Sequence, residues 1–242
     1  MGIAAALAAA IATPLLWRAS RPDDRIVAQS YASATGQQRR FALPDGSDMA
    51  LDAASGVAIA FSDTARDLAL TRGAARFEVR HDAARPFAVS TPDGQMVALG
   101  TNFSVDRGVG RSELRVFRGR VRLTVPGQPP VVVTAGHWAE AGSDRILLHR
   151  FDPASYEGWQ DHWLSGDRIR LGDAVARLGR YSPHPVQLTD HALADLRFDG
   201  RFRLDTPVQS LTLIAALFDL SVEDDGRSIR LTRRHPTGPK RP

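Results

Sequence analysis

The sequence predicts a mainly-β protein, an all-β sandwich or roll followed by a small α+β βαββαβ unit, and three observations predict it. Between Arg39 and Leu148, short runs of alternating apolar and polar residues recur at intervals of roughly ten residues. Turn formers separate them, most clearly Pro44-Asp45-Gly46, in which proline presets φ, aspartate can bond its own backbone and glycine takes the left-handed position, and the turn at Pro92-Asp93-Gly94. From Leu171 the period changes: Leu171, Ala174, Val175, Leu178 and Tyr181 fall at helical spacing.

Composition bounds what such a chain can be. Its 242 residues are long enough for two modest cores, and 43% hydrophobic with 24% charged residues is a globular balance that excludes wholesale disorder. Cysteine is absent, which removes disulfide scaffolds, thiol nucleophiles and thiolate metal sites. The formal charge of +4 comes from arginine, because Lys240 is the only lysine. Those arginines are scattered along strands with no basic block interleaved with aromatics, which argues against a nucleic-acid partner.

Taken in order, the chain opens on an uncharged, alanine-rich apolar run, Gly2 to Leu16. Residues 1–17 are expected to be a membrane-spanning remnant or a signal segment; at about 1.5 Å per residue the run reaches roughly 24 Å of a hydrocarbon core of about 30 Å. Arg18, Arg21 and Arg25 all follow it, and a basic region before it is lacking, so a spanning remnant is the favoured reading. A linker over 18–30 contains Pro22. Residues 31–148 form the β-domain. Its strands include Arg39 to Leu43, the alternation of Met49, Leu51, Val57, Ile59 and Phe61, then Leu68 to Leu70, Arg76 to Val79, and Phe87 with Val89. Met96 to Val105 reads as two strands parted by Gly100, a residue expected to supply positive φ, with Phe103 and Val105 on one face and Asn102 and Ser104 on the other. Glu113 to Val125 reads as a hairpin turning at Arg118-Gly119, followed by Val131 to Thr134 and a last pair from Gly136.

A linker over 149–163, with Trp159 and Trp163 as anchors, leads to the α+β unit at 164–233. That unit has the first helix, a strand at Val186 to Leu188, and a strand from Leu196 to Leu204. A second helix is opened by Thr206-Pro207 and runs to about Asp219, and strands flank Asp225-Gly226. Residues 234–242 read as a disordered tail.

The ordered set of motifs resembles the FecR family. Its pieces are Thr35-Gly36 with Phe41 to Ser47, Leu51-Asp52-Ala53-Ala54-Ser55, Leu70 to Val79, Arg85 to Val89, Leu99-Gly100-Thr101-Asn102-Phe103-Ser104-Val105, Arg118-Gly119-Arg120-Val121 and Ala135-Gly136-His137. Gln37 and Asp52 stand where glutamate and asparagine are commoner. The resemblance covers about residues 31–140, and residues 164 to 231 are similar to the short domain of secretins and TonB-dependent receptors. It implies a single-pass inner-membrane sensor with most of its chain in the periplasm. Such a sensor regulates an extracytoplasmic-function sigma factor in response to a TonB-dependent outer-membrane receptor that imports iron chelates or other substrates. The expected partners are the periplasmic signalling domain of that receptor and the inner membrane through residues 2–17. The sigma factor is reached only through a cytoplasmic segment that this sequence does not contain. The alternative is a stand-alone periplasmic module that binds glycan or peptide.

Catalytic chemistry finds little support. His81, His137, His149, His162, His184, His191 and His235 show no HExxH or paired i, i+4 spacing, so no metal or cofactor is expected. No Gly-x-Ser-x-Gly elbow is present, Gly108-Val109-Gly110 lacks the lysine of a phosphate loop, and Asp224-Asp225 belongs to a polar turn. The reading is therefore of a non-enzyme. The candidate partner-binding residues are Arg197, Arg201 and Arg203, an outward stripe on a strand with a free edge, with Phe202 beside them and Leu213 and Leu217 on the second helix.

Overall fold

In the computed structural model, which describes residues 26–142 and 145–234, the alternation of the first half becomes a two-layer sandwich. The expected membrane segment at 1–17, most of the 18–30 linker and the tail from 235 lie outside the described residues. Among the described residues no helix is long and apolar enough to cross a membrane.

The first strands are β1 (Val27–Ala32), β2 (Arg39–Ala42), β3 (Asp48–Leu51), β4 (Gly56–Phe61), β5 (Arg66–Arg72), β6 (Ala74–Glu78) and β7 (Phe87–Thr91). They continue as β8 (Gly94–Ala98), β9 (Asn102–Arg107), β10 (Arg111–Arg118), β11 (Arg120–Thr124), β12 (Val131–Thr134), β13 (His137–Gly142) and β14 (Ile146–Arg150). One sheet has the order β1-β4-β5-β7-β8-β11-β12 and the other β14-β13-β10-β9-β6-β3-β2, so the chain changes sheet after every one or two strands. All pairs are antiparallel except β5 with β7. Inward-facing residues of both sheets make one core around Phe77, Phe87 and Phe103, each 0% exposed, whose rings meet 5.3–6.4 Å apart.

Two expectations need correcting. Glu113 to Val125 is not a hairpin, because β10 and β11 lie in different sheets. Gly119, at φ +83°, turns the chain across the sandwich, and Val116 and Val121 then enter the shared core from opposite layers. Gly100 does not adopt positive φ. It is required for room, since a Cβ there would sit 2.9 Å from His81 Nδ1 and 3.1 Å from His81 Cα. The two Pro-Asp-Gly turns do close the β2–β3 and β7–β8 hairpins.

The aspartate of the first turn has a second duty. Asp45 is paired at 2.7 Å with Arg66, and the two side chains are 1% and 0% exposed. Arg66 also donates to the carbonyls of Arg85 at 2.8 Å and Arg80 at 3.0 Å, so one buried guanidinium ties the turn to the segment before β7. Breaking such a pair strands its partner. Arg66→Ala is expected to destabilise the protein by about 3–5 kcal/mol, read as a lower urea midpoint with an unchanged slope.

The C-terminal unit contains β15 (Trp163–Arg170), α1 (Leu171–Gly179), β16 (Val186–Leu188), β17 (Arg197–Arg203), α2 (Pro207–Ala216), β18 (Leu220–Asp224) and β19 (Ile229–Arg233). Its order is βαββαββ, one strand more than the expected βαββαβ, and the two strands read on either side of Asp225-Gly226 pair with each other. β15 pairs with β17 as a two-stranded ribbon, and β16, β19 and β18 form a second sheet. The predicted stripe of α1 is buried throughout: Leu171, Ala174 and Leu178 are 0% exposed and Val175 is 7%. α2 starts at Pro207 as expected, without a cap hydrogen bond from Thr206, and stops at Ala216, short of Asp219. It buries Leu211, Ile214 and Ala215.

Candidate functional site

Strand alternation puts a row of charges on the outer face of the second sheet. With Leu114 and Val116 of β10 turned into the core, Arg111, Glu113 and Arg115 must point outward, and on β9 the inward Phe103 and Val105 leave Ser104 and Asp106 outside. In an isolated sandwich this face would be solvated. Here residues 151–162 and the C-terminal unit cover it, so Asp106 is only 9% and Arg115 only 7% exposed.

The covering element is α1 and the residues just after it. Asp173, Arg177 and Arg180 are spaced four and three apart, which places them on one side of the helix. Arg180 donates to Asp52 at 2.8 Å and pairs with Asp106. Arg177 reaches Asp106 through Nε at 3.0 Å and Glu113 through Nη2 at 3.0 Å, and Glu113 also accepts from Arg115 at 2.6 Å. Asp173 pairs with Arg111, which holds Glu140 at 2.7 Å. Tyr181 donates to Asp52 and accepts from Gln38 at 2.9 Å. The backbone adds a tie from Gly36 N–H to the Arg180 carbonyl at 2.9 Å. The result is a continuous alternation of carboxylate and guanidinium running from Asp52 to Arg115 across the boundary between the two units.

Burial and pairing pull against each other along this chain. Burial disfavours the charge of Arg177 and Arg180, but the neighbouring carboxylates, Asp106 foremost, outweigh it and hold both above the ordinary arginine value. Burial likewise opposes ionisation of Glu113, yet Arg115 and Arg177 bring it down to about 2. At Asp52 burial prevails over Arg180 and Tyr181 and pushes the carboxyl up. Tyr181 is raised by burial and by Asp52. Arg115 is boxed by aromatic rings, with Tyr156, Phe151 and Trp138 centred 4.3, 4.9 and 5.0 Å from its guanidinium carbon.

Between the outer face of the second sheet and the β15–β17 ribbon lies a cleft of about 690 Å³. Arg197 and Arg201 of the predicted stripe line it, whereas Arg203, Phe202, Leu213 and Leu217 do not. Arg201 pairs with Glu157 and stacks over Trp163 at 3.9 Å, and Arg203 pairs with Asp205 and lies 4.8 Å from the centre of the same ring. Phe202 is half-buried against Phe198, their centroids 5.5 Å apart. Leu213 and Leu217 remain 62% and 57% exposed on α2. Sequence reasoning missed Asp106, Glu113, Arg177 and Arg180 as a set. The available signal was three charges along α1 opposite its apolar stripe, matched by charges at outward positions of adjacent strands.

Residues 29–122 match the protein family described as FecR protein. No curated protein sequence matches the chain. Two crystal structures, at 2.50 Å and 1.65 Å resolution and each described as a candidate anti-sigma factor from Parabacteroides distasonis ATCC 8503, are similar in fold. Their TM-scores are 0.76 and 0.75, each at 19% identity, covering 86% of this chain and 100% of theirs.

Glu113 gives the joint a pH dependence of defined sign. Its carboxyl titrates at about 2 when folded against 4.5 for a free glutamate. Between those values the unfolded chain binds more protons, so the stabilisation is complete above the free value and is lost as pH falls toward the folded one. In thermal melts from about pH 5 down to about pH 2.5, the parent protein is expected to lose more stability than Glu113→Gln.

Proposed function

The chain carries a FecR-family domain, and from that premise we propose that it is the periplasmic part of a transmembrane signal transducer that regulates an extracytoplasmic-function sigma factor. The observation that carries this reading is the family match over residues 29–122 joined to a second unit through a polar, charge-matched boundary. The similar fold of the two candidate anti-sigma factors, which spans both units, supports it. In this reading the apolar run at 2–17 crosses the inner membrane, and the sigma factor is contacted through a cytoplasmic segment. The signal comes from the periplasmic domain of a TonB-dependent receptor during uptake of an iron chelate or another substrate.

A relay needs two arrangements that a partner binds unequally. The boundary described above suits that task, because a polar interface can open without exposing a large apolar surface. Several acids of the cleft are held by guanidinium groups, Glu113 by Arg177 and Glu140 by Arg111, while Asp152 accepts from the Ser155 hydroxyl at 2.8 Å and the His149 ring stacks on Trp138 at 4.1 Å. We therefore read the molecule as a docking device without catalysis.

The test is made in the native host. Deleting the gene is expected to change transcription of the neighbouring sigma-dependent promoter several-fold, and cross-linking in the cell envelope is expected to join the chain to the periplasmic domain of a TonB-dependent receptor. Arg180→Ala, which removes the guanidinium shared by Asp52 and Asp106, is expected to alter the reporter response to inducer while the amount of protein in the envelope stays the same. Unchanged transcription in the deletion strain contradicts the proposal.

A further inference from the structure

The cleft between the second sheet and the β15–β17 ribbon has features that the signalling role does not use. Its volume of about 690 Å³ lies within the range of small-molecule sites. Eight arginines line it, and five of them are committed to carboxylates. Arg150, Arg168 and Arg197 form no salt bridge among the described residues, Arg197 acting on Asp195 only at longer range, and all three are exposed at its walls.

A second observation concerns the backbone that presents Arg168. The register of β15 against β17 shifts between Gly166 and Ile169, so the strand carries an irregularity at the cleft. Arg168 sits within it at φ +54°, a left-handed conformation that costs a non-glycine residue energy. The bend is held from the opposite strand: the Arg168 N–H donates to Asp199, and the Arg168 carbonyl accepts from Arg197 Nη1 at 3.3 Å. Bulges of this kind redirect side chains at strand edges and next to sites. Here the bend seats the Arg168 carbonyl on the Arg197 guanidinium, and both arginines line the cleft.

We propose that this cleft binds a small organic anion bearing carboxylate or phosphate groups, gripped by Arg168 and Arg197 on the ribbon and Arg150 on the sandwich. Guanidinium forks match both groups bidentately. The walls are rigid, since Arg111, Arg115 and Arg177 are fixed by Glu140, Glu113 and Asp106. Because one wall belongs to each unit, a bound anion bridges them and stabilises the docked arrangement. The proposal stands on the cleft alone and does not require the sigma-factor reading.

The test is calorimetric titration of the full chain with sodium phosphate and, separately, sodium succinate at low salt. Saturable one-to-one binding of at least one probe is expected, with a Kd below about 1 mM. Arg197→Ala is expected to weaken it at least about tenfold. Arg168→Gly relieves the left-handed strain, so it is expected to keep or raise Tm while losing binding to the same degree, a combination that a purely structural arginine would not show. Arg120→Ala, on β11 outside the cleft, is expected to bind as the parent does. The proposal is overturned if neither probe saturates, or if binding is equal in all variants, which would indicate an adventitious ion only. Binding of a triglutamate peptide with none of succinate or phosphate also overturns it, in favour of a protein partner.

Discussion

The alternating chain Asp52, Arg180, Asp106, Arg177, Glu113, Arg115 is the interaction on which the rest of this structure depends. Each unit has its own apolar core, and among the described residues Ala53 is the one β-domain residue that belongs to the C-terminal cluster. Apolar burial therefore stabilises each half separately, while ionic and hydrogen-bonded contacts orient one half against the other. A buried ion pair adds modestly to stability, because desolvation offsets much of the attraction, but it penalises every misaligned arrangement heavily. Orientation, more than cohesion, is what this joint supplies.

That division has a functional consequence. Two halves glued by apolar surface would separate only at a cost set by the exposed area, whereas halves held by matched charges can exchange their partners for water or for another charged surface. The position of Tyr181 and Arg180 just past the end of α1 couples the joint to the helix that forms the floor of the C-terminal core. A displacement of that unit by a bound receptor domain would be felt at Asp52 and Asp106, on loops and strands of the sandwich itself.

Much of the fold was legible in the sequence because its signals are local. Period-2 alternation located most of the strands, Pro-Asp-Gly located two hairpins, and the spacing of Leu171, Ala174, Val175 and Leu178 located α1. What sequence could not distinguish was which strands share a sheet. Arg118-Gly119 has the chemistry of a two-residue hairpin turn and of a corner between layers, and only the partners of β10 and β11 decide between them. The joint was illegible for a related reason: Asp106, Glu113 and Arg115 occupy outward strand positions, which read as solvated until a second unit is laid over them. Arg197 and Arg201 were recognised as a stripe, but the cleft they line is formed by residues from about twenty to about ninety-five positions earlier.

The absence of cysteine makes the central claim open to direct measurement, since two engineered cysteines would be the sole labelling sites. Spin labels at Arg120 on the sandwich and Thr212 on α2, both exposed, report the distance between the units. Double electron–electron resonance should give one narrow distribution in the otherwise native protein and a broadened, longer one when Arg177 and Arg180 are both replaced by alanine. A distribution that stays narrow and unshifted in the double variant would show that something other than this ionic chain orients the two halves.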